Sequence, residues 1–423
     1  MARRKLAVAV ALDSGALVAS LVAASALTFG HALPWVGQDA SWVMLGGLAG
    51  GGFLGILLTA RSAANGIPRP SYGRAVTMVG LMLGVTAVVI LFSRAFWSRS
   101  FVLTTTLAWL GAGLAHRWVR RRRPWVEALV LVTAEKALVD DLLDAPHAEV
   151  ITVLDPAGVV PERPLPMGVI LGVDLRAVLS DDMARFVSSC SLAGYPLRSL
   201  VSVYEEHTGR LPIVHLFEGW ELTVPLSGRG PYVRIKRVLD TLLVLAVSPL
   251  AVLLGVMIAI AVRIDSRGPA IFKQRRIGLE GGVFTLYKFR TMRTDADREA
   301  RFASKTDDRL TRVGRFLRLI RADELPQLWN VLRGDLSLVG PRPEQGPFVD
   351  RFSETIPFYT HRHLVRPGIT GWAQVNFGYA DSEADTVEKL SFDLYYIKHV
   401  SPWLDVEILG KSVWTVLSGY GAR

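Results

Sequence analysis

The sequence predicts a membrane protein in three parts: a four-helix transmembrane bundle, a degenerate Rossmann-like cytosolic domain, and a mainly helical C-terminal domain anchored by a re-entrant membrane helix. Three observations predict this fold. Five apolar runs approach the length that spans a bilayer, strand and helix patterns alternate in the middle part, and basic helical segments follow the fifth run. The predicted domains are residues 1–123, 124–230 and 231–423.

The composition indicates membrane segments joined to water-facing domains. The 423 residues are 50% hydrophobic and 20% charged, and the mean hydropathy is +0.32, which excludes a disordered, collagen-like or coiled-coil protein. The net charge of +10 favours acidic partners, namely anionic lipid, nucleic acid or phosphorylated substrates. The single cysteine, Cys190, excludes an internal disulfide framework and a cysteine-based zinc site.

Four apolar runs fill the first part, at residues 6–30, 41–60, 75–93 and 101–119. Each is close to the ~20 residues that cross ~30 Å of hydrocarbon. The first run contains Ala24-Ser25-Ala26, which resembles a signal-peptide cleavage site, but its length and the spans that follow favour a retained helix. We interpret Asp13 within this run as a polar group that faces the bundle rather than as part of an ion pathway.

The placement of lysine and arginine predicts the orientation of the bundle. The N-terminus, the second loop and residues 120–123 are basic, whereas the first loop, residues 31–40, contains no Lys or Arg. The positive-inside rule therefore puts both ends of the bundle in the cytoplasm. Because residues 120–123 directly follow a span, we interpret them as an anchor touching anionic lipid rather than as a nucleic-acid site.

The middle part alternates between strand and helix patterns. Strands are predicted at residues 126–133, 149–154 and 167–173, and helices at 135–143 and 181–191. The first strand-to-helix turn contains no glycine, so we expect a Rossmann-like shape that does not bind a nucleotide. We interpret Cys190 as a packed small residue rather than a nucleophile.

The fifth apolar run, residues 238–262, has basic residues at both ends and Ser248-Pro249 at its centre. A crossing would carry the basic segment after it out of the cytoplasm, against the positive-inside rule. Because proline removes a helical hydrogen bond, we predict a helix-break-helix hairpin that enters one leaflet and returns. The Ser248 hydroxyl would help to satisfy the freed carbonyl. An ordinary kinked span is the alternative.

A basic segment precedes two adjacent carboxylates in the last part. Every third residue from 312 to 321 is arginine, which predicts a basic amphipathic helix suited to a lipid interface or to phosphates. Asp323 is predicted to cap a helix whose first turn holds Glu324, where the helix dipole favours an ionised carboxylate. The pair would also form a Mg²⁺ site beside a phosphate-bearing substrate, one acting as nucleophile and the other as metal ligand or base. A well-capped helix with no catalytic role is the alternative.

Two turn-rich motifs follow. Arg342 stands between two prolines in residues 337–343, and a stiff backbone there would orient its guanidinium toward a phosphate. Arg366 opens residues 366–375, whose backbone N–H groups would be available to an anion.

The C-terminal motifs together resemble one family. They are residues 236–240, 272–278, 287–292, 323–328, 337–343 and 367–375. In this order they resemble the bacterial monotopic phosphoglycosyl transferases, the polyprenyl glycosylphosphotransferases of the bacterial sugar transferase family. The preceding four spans and α/β domain resemble the large form of that family.

The resemblance implies a two-step reaction at the bacterial inner membrane, with the catalytic domain on the cytoplasmic face. Asp323 attacks the sugar-bearing phosphate of a UDP-sugar bound with Mg²⁺, UMP leaves, and undecaprenyl phosphate then takes the phosphosugar from the aspartyl intermediate. Glu324 assists metal binding or proton transfer. The residues predicted to bind substrate phosphate are Lys288, Arg290, Arg321 and Arg342, together with Arg366. Such a reaction begins the synthesis of exopolysaccharide, capsule or O-antigen repeat units. The resemblance does not identify the sugar, and it leaves open whether the protein forms a homodimer.

Three other functions stay open from the residues. Asp295-Ala-Asp297 has the form of a metal-dependent glycosyltransferase motif, which would release UDP rather than UMP. A membrane scaffold or chain-length regulator predicts that Asp323→Asn leaves function intact. A DNA-binding interpretation of the basic run lacks a recognition-helix context, so we expect no nucleic-acid partner.

Overall fold

A computed structural model gives the structure of the protein. It describes residues 2–34, 42–64, 72–93, 98–121, 126–213, 216, 231–293, 310–377 and 383–418. The chain divides into two compact units. One holds Met1–Ala128 with Leu165–Gly168, and the other holds Leu129–Pro164 with Val169–Arg423.

Apolar helices make up the described part of the first unit, as predicted. They are α1 (Ala2–Phe29), α2 (Trp42–Ala64), α3 (Tyr72–Ser93) and α4 (Arg99–Arg121). Glycines bring α2 against α3, because a Cβ at Gly51 or Gly55 would meet the α3 backbone at 3.0 Å or less. Across the described residues, the helical segments long and apolar enough to cross a membrane are Ala7–Phe29, Trp42–Ala60, Gly73–Ser93 and Tyr232–Asp265. Helix α4 is not among them, so the fourth predicted span is a helix whose crossing of the membrane stays a prediction.

Asp13 faces the inside of this bundle, as predicted. Only 5% of the residue is exposed. Its carboxylate accepts hydrogen bonds from both terminal nitrogens of Arg117 at 2.7 and 2.8 Å, and lies 2.8 Å from Nε2 of His116. A buried carboxylate is tolerated with such partners, so this cluster fixes α1 against α4.

The second unit contains a small α/β layer close to the predicted one. Its strands are β1 (Glu127–Val132), β2 (Ala148–Leu154), β3 (Ile170–Val173) and β4 (Leu197–Ser199), in the sheet order β2-β1-β3-β4. Its helices are α5 (Lys136–Leu143), α6 (Asp181–Leu192) and α7 (Leu200–Thr208). The short strand β4 and helix α7 were not predicted. Cys190 is buried in α6, and burial raises the pKa of its thiol, as suits a packed residue.

Helix α8 (Pro231–Asp265) contains the fifth apolar run, and the predicted break at its centre is wrong. The helix is continuous, with Pro249 inside it. Pro249 leaves the carbonyl of Leu245 without its usual helical donor, and the Ser248 hydroxyl donates to that carbonyl at 2.8 Å. The predicted role of the serine is thus confirmed, and this substitute bond allows the helix to continue through the proline.

The N-terminal half of α8 is tied to the C-terminal domain by polar contacts. Lys236 donates to the Asp405 carboxylate at 2.7 Å, and Ser337 donates to Asp240 at 2.6 Å. The guanidinium of Arg237 donates to the carbonyls of Val331 and Leu332. This half of the helix is therefore fixed in both position and rotation.

The C-terminal half of α8 packs on the same domain. Val262 is buried with Phe289 and Leu317, and the Asp265 carboxylate accepts from the backbone N–H of Val313 at 2.9 Å. Between the two halves, the helix exposes a row of large apolar side chains, namely Leu245, Val247, Leu250, Val252, Leu253, Leu254, Val256 and Met257.

The rest of the C-terminal domain consists of short elements around a buried core. They are β5 (Ile271–Ile277), β6 (Val283–Phe289), α9 (Arg312–Leu319), α10 (Gln327–Arg333), β7 (Ser337–Val339), α11 (Gly346–Thr355), β8 (Gly368–Thr370), α12 (Trp372–Asn376), α13 (Glu383–Lys398) and α14 (Pro402–Ser418). Strands β5 and β6 form an antiparallel hairpin, and β7 pairs in parallel with β8. Leu394, Tyr396 and Ile408 are among the core side chains.

Candidate functional site

The two adjacent carboxyl groups lie in a tight turn between α9 and α10. Arg321 has a left-handed backbone with φ 54°, and a single 3₁₀ turn, Ala322–Glu324, follows it. The predicted helix cap at Asp323 is wrong, because α10 begins only at Gln327 and Pro326 holds the cap position. The reversal at Arg321 turns both carboxyl side chains inward, and each residue is only 9% exposed.

Glu324 is held by two cations. Its Oε1 accepts from Lys288 Nζ at 3.3 Å and from Arg342 Nη2 at 3.1 Å. Burial alone would raise the pKa of Glu324, but the positive charges of Lys288, Arg342 and Arg321 outweigh it and lower the pKa to about 2. Glu324 is therefore an ionised carboxylate at any physiological pH.

Asp323 is shifted in the opposite direction. Burial and the neighbouring negative charge of Glu324 raise the pKa of Asp323, with Lys288, Arg318 and Arg342 opposing them. Adjacent groups whose pKa values are pushed apart are typical of a site where two carboxyls have different tasks. Glu324 organises the cations, whereas Asp323 keeps the more basic carboxylate.

Strand β6 presents Lys288 to the carboxyl pair and is locked to α10 by Asn330. The fully buried Asn330 side chain accepts from the Tyr287 N–H at 3.2 Å and donates to the Thr285 carbonyl at 2.7 Å. Burial lowers the pKa of Lys288, and Glu324 opposes that shift. Asn330 thus fixes the strand that carries Lys288 against the helix that follows Glu324.

Arg318 is a candidate site residue that the sequence did not single out. Its Nε donates to the Thr291 hydroxyl at 3.0 Å, and its charge acts on Asp323. The approach of α9 depends on Gly314, since a Cβ there would overlap the Thr291 carbonyl. The three-residue arginine repeat predicted the helix but did not show which arginine faces the site.

Arg276 of β5 is a second residue without a predicted role. Its Nη1 donates to the Pro343 carbonyl at 3.0 Å and lies 3.6 Å from the Glu344 carboxylate. Burial lowers the pKa of Arg276 to about 10, while Glu344 opposes the shift and Arg342 adds to it. Arg276 lies in the motif at residues 272–278, but the residues it contacts, Pro343 and Glu344, are distant in sequence, so the sequence did not show its role.

The structure brings together some of the predicted phosphate-binding residues and separates others. Lys288, Arg321 and Arg342 act on Glu324. Arg290 instead donates through Nη2 to the Ser266 carbonyl and hydroxyl at 2.7 and 2.8 Å, at the end of α8. Arg366 donates to the Gly334 carbonyl at 3.1 Å, at the opposite end of α10 from the carboxyl pair.

Two glycines of the turn-rich motifs, Gly340 and Gly368, serve strand packing. The N–H of Gly368 donates to the Pro341 carbonyl at 2.9 Å, and that of Gly340 donates to the Thr370 carbonyl at 2.9 Å. The predicted availability of backbone N–H groups is therefore wrong at Gly368. A Cβ at either glycine would overlap the backbone of the other segment.

The donor set suits Mg²⁺ only as a shared site. Across the part of the chain that the structure describes, no group of three or more His, Cys, Asp and Glu side chains is arranged to hold a metal. One oxygen of Glu324 is already held by Lys288 and Arg342, which leaves its other oxygen and the Asp323 carboxylate. Mg²⁺ fits one or two carboxylates completed by substrate phosphates and waters. The alternative pair, Asp295 and Asp297, lies outside the described residues.

The C-terminal part of the chain is similar to known sugar transferases. Residues 231–419 match the family described as bacterial sugar transferase. A UDP-N-acetylgalactosamine-undecaprenyl-phosphate N-acetylgalactosaminephosphotransferase of Aeromonas hydrophila is 46% identical over 258 residues, which are 59% of this chain and 59% of that relative.

Two further relatives share the name UDP-glucose:undecaprenyl-phosphate glucose-1-phosphate transferase. The one from Escherichia coli is 41% identical over 222 residues, 51% of this chain and 45% of the relative. The one from Caulobacter vibrioides is 42% identical over 205 residues, 47% of this chain and 76% of the relative. The chain thus spans about half the length of the Aeromonas and Escherichia relatives and three quarters of the Caulobacter one.

Proposed function

Because this chain belongs to the bacterial sugar transferase family, we propose that it transfers a sugar 1-phosphate from a UDP-sugar to undecaprenyl phosphate and releases UMP. The names of the relatives support both substrates. The observation that carries the proposal is the buried Asp323–Glu324 pair, whose pKa values are shifted in opposite directions within a group of cations. Nothing in a scaffold protein requires that arrangement.

In the first step, an oxygen of the Asp323 carboxylate attacks the phosphorus that bears the sugar. The bond between this phosphorus and the bridging oxygen breaks, and UMP leaves with the electron pair. Phosphoryl transfer depends mainly on positioning and on neutralising charge, which Lys288 and Arg342 supply beside the attacking group. Glu324 remains ionised and orients both cations.

In the second step, a phosphate oxygen of undecaprenyl phosphate attacks the same phosphorus. The bond to Asp323 breaks and the carboxylate is restored, so a soluble donor and a lipid acceptor use one site in turn. Asp323 and Glu324 would hold Mg²⁺, which when bound neutralises charge on the donor's phosphates.

We infer that α8 bends at Pro249 without unwinding, so that one continuous helix enters one leaflet and returns. Both of its halves pack on one domain, at Asp240 and at Val262, whereas a transmembrane crossing would put ~30 Å of hydrocarbon between its two ends. The apolar side chains between the halves are exposed, as suits contact with lipid. This path would put the site on the cytoplasmic face of the inner membrane, with anionic lipid around the basic segments.

Helix α9 supports a second contact with the lipid surface. It exposes Phe316, Leu319 and Ile320 beside the exposed arginines Arg312 and Arg315. An apolar face flanked by arginines is typical of a helix lying in a membrane interface.

The product of the proposed reaction, a sugar linked to the lipid through a diphosphate, fits the start of exopolysaccharide, capsule or O-antigen repeat-unit synthesis.

The test is the purified full chain in nanodiscs with undecaprenyl phosphate and a panel of UDP-sugars, scored for UMP. Asp323→Asn should abolish UMP release and the denaturation-resistant adduct formed from a donor with a labelled sugar phosphate. Asp350→Asn, at an exposed position of α11, is the matched control and should retain both. Release of UDP would indicate a glycosyltransferase instead, and full turnover by Asp323→Asn would refute the covalent mechanism.

A further inference from the structure

The segment that carries Arg342 is held at every one of its carbonyls. Four consecutive carbonyls accept hydrogen bonds from four donors at three places in the domain, two of the donors being neighbours in β5. The pairs are Pro341 with the Gly368 N–H at 2.9 Å, Arg342 with Arg362 Nη2 at 3.0 Å, Pro343 with Arg276 Nη1 at 3.0 Å, and Glu344 with the Ile277 N–H at 2.9 Å. Since two of these residues are prolines with restricted φ, the segment has little freedom to move.

Two of these four donors are arginine side chains, and Arg362 is the more deeply buried, since the Arg276 side chain is 14% exposed. Only 4% of Arg362 is exposed. Its Nη1 donates to the Tyr359 hydroxyl at 2.6 Å, and Nη2 donates to the Asp393 carboxylate at 2.8 Å as well as to the Arg342 carbonyl. The planar guanidinium can make these bonds at fixed angles, which a lysine ammonium cannot reproduce.

Asp393, one of the partners of Arg362, belongs to α13. Asp393 lies one turn after Lys389 on this helix, and Lys389 binds the Glu344 carboxylate at 2.6 Å. One face of α13 therefore holds the Arg342 segment twice, through Asp393 with Arg362 and through Lys389 with Glu344.

We propose that Arg362 is a positioning residue that holds the Arg342 side chain against Glu324 by fixing the Arg342 backbone. This inference rests on the proposed function, since it assigns Arg362 a part in the same site without contact to either substrate. A buried ion pair is seldom the most stable solution in a core, where apolar side chains of similar volume often do as well or better. Geometric control of Arg342 gives this costly group a role.

The variant Arg362→Lys keeps the positive charge but loses the planar guanidinium, whose two terminal nitrogens make these hydrogen bonds. In the full chain in nanodiscs we expect kcat for UMP release to fall by about 10- to 100-fold, because small displacements of catalytic groups have effects of that size. Arg351→Lys, whose side chain is 64% exposed, is the control and should leave kcat unchanged.

A double-mutant cycle separates positioning from general stability. If Arg362 acts through Arg342, adding Arg362→Lys to Arg342→Lys should cost little further activity, whereas independent effects would multiply. Hydrogen exchange of residues 337–345 should also increase in Arg362→Lys and not in Arg351→Lys. This second readout is independent of the reaction, so a wild-type protein that releases no UMP would end the proposed function while the exchange result still tests the positioning.

Wild-type kcat with unchanged hydrogen exchange of residues 337–345 in Arg362→Lys, or fully multiplicative losses in the cycle, would overturn the proposal. Should Arg362→Lys fail to fold, Tyr359→Phe replaces it. That variant removes one acceptor from Arg362 and should give smaller changes of kcat and of exchange in the same direction. An unchanged kcat and exchange rate would count against the proposal equally.

Discussion

Arg342 donates a hydrogen bond to Oε1 of Glu324 at 3.1 Å, and the same oxygen accepts from Lys288. The charge of Glu324 is thus balanced locally, while its neighbour Asp323 receives no hydrogen bond from any described residue. A buried carboxylate with little direct compensation is basic and free to attack. In the proposed reaction, the different tasks of the two acids would follow from which of them holds the cations.

The pH dependence of activity should report this arrangement. Asp323 must be ionised to attack, and burial and Glu324 raise its pKa, so activity should fall with decreasing pH at a higher pH than for an ordinary aspartate. Lys288→Met removes a charge that lowers the pKa of Asp323 and should move the acid limb further up. Glu324→Gln removes a charge that raises it and should move the limb down in whatever activity remains. The measurement is single-turnover adduct formation against pH, and shifts in one common direction would contradict the assignment.

The contact between β7 and β8 should not tolerate a side chain at Gly340. A Cβ there would overlap the Arg366 carbonyl, which is backbone and has no room to move aside. We expect Gly340→Ala to lower the free energy of unfolding by about 1–3 kcal/mol, the usual range for overpacking. Gly346→Ala is the control, since the nearest atom lies 4.0 Å from the new Cβ. Thermal unfolding of both variants in detergent measures the difference, and equal stability would show that the strands can separate without cost.

The spacing of apolar residues and the distribution of charged residues predicted much of this fold, because apolar runs and strand–helix alternation are local signals in the sequence. The amphipathic α9 was predicted from its arginine repeat, and the layer β1 to β3 from its alternation. The continuity of α8 was not predicted, because it depends on a single side chain. The Ser248 hydroxyl donates to the carbonyl that Pro249 leaves without a helical donor.

The candidate site was predictable only in part. Asp323, Glu324, Lys288 and Arg342 stand in motifs with evident chemistry. Arg318 and Arg362 do not, since their roles depend on partners brought close by Gly314 packing and by the α13 face. The same limit explains Arg366, which faces the carbonyl of Gly334 rather than the carboxyl pair.

A substitution on the exposed apolar face of α9 should weaken the use of the proposed lipid substrate and leave that of the UDP-sugar unchanged. Phe316 is 59% exposed next to Arg315, so Phe316→Ser should weaken the approach of the domain to the bilayer. We expect the KM for undecaprenyl phosphate to rise by about 3- to 10-fold, corresponding to the ~1 kcal/mol of a partly buried apolar side chain, with the KM for the UDP-sugar unchanged. Leu192→Ser, at an 88% exposed position of α6, should leave both constants unchanged. A parallel rise in both KM values for Phe316→Ser would indicate a disturbed active site instead.

The Ser248 hydroxyl should matter only because Pro249 follows it. In the wild-type helix, Ser248→Ala leaves the Leu245 carbonyl unpaired in an apolar surrounding, and we expect a loss of about 1 kcal/mol. In a Pro249→Ala background, residue 249 supplies its own N–H to that carbonyl, so Ser248→Ala should then cost almost nothing. Thr241→Val is the matched control, because the Thr241 hydroxyl donates to the Arg237 carbonyl at 2.9 Å and the residue four positions after Arg237 is not a proline. The loss of stability from Thr241→Val should be small with and without Pro249. Unfolding of the four Ser248 and Pro249 combinations in one detergent gives the coupling, and an equal cost of Ser248→Ala with and without the proline would show that the helix continues through residue 249 for another reason.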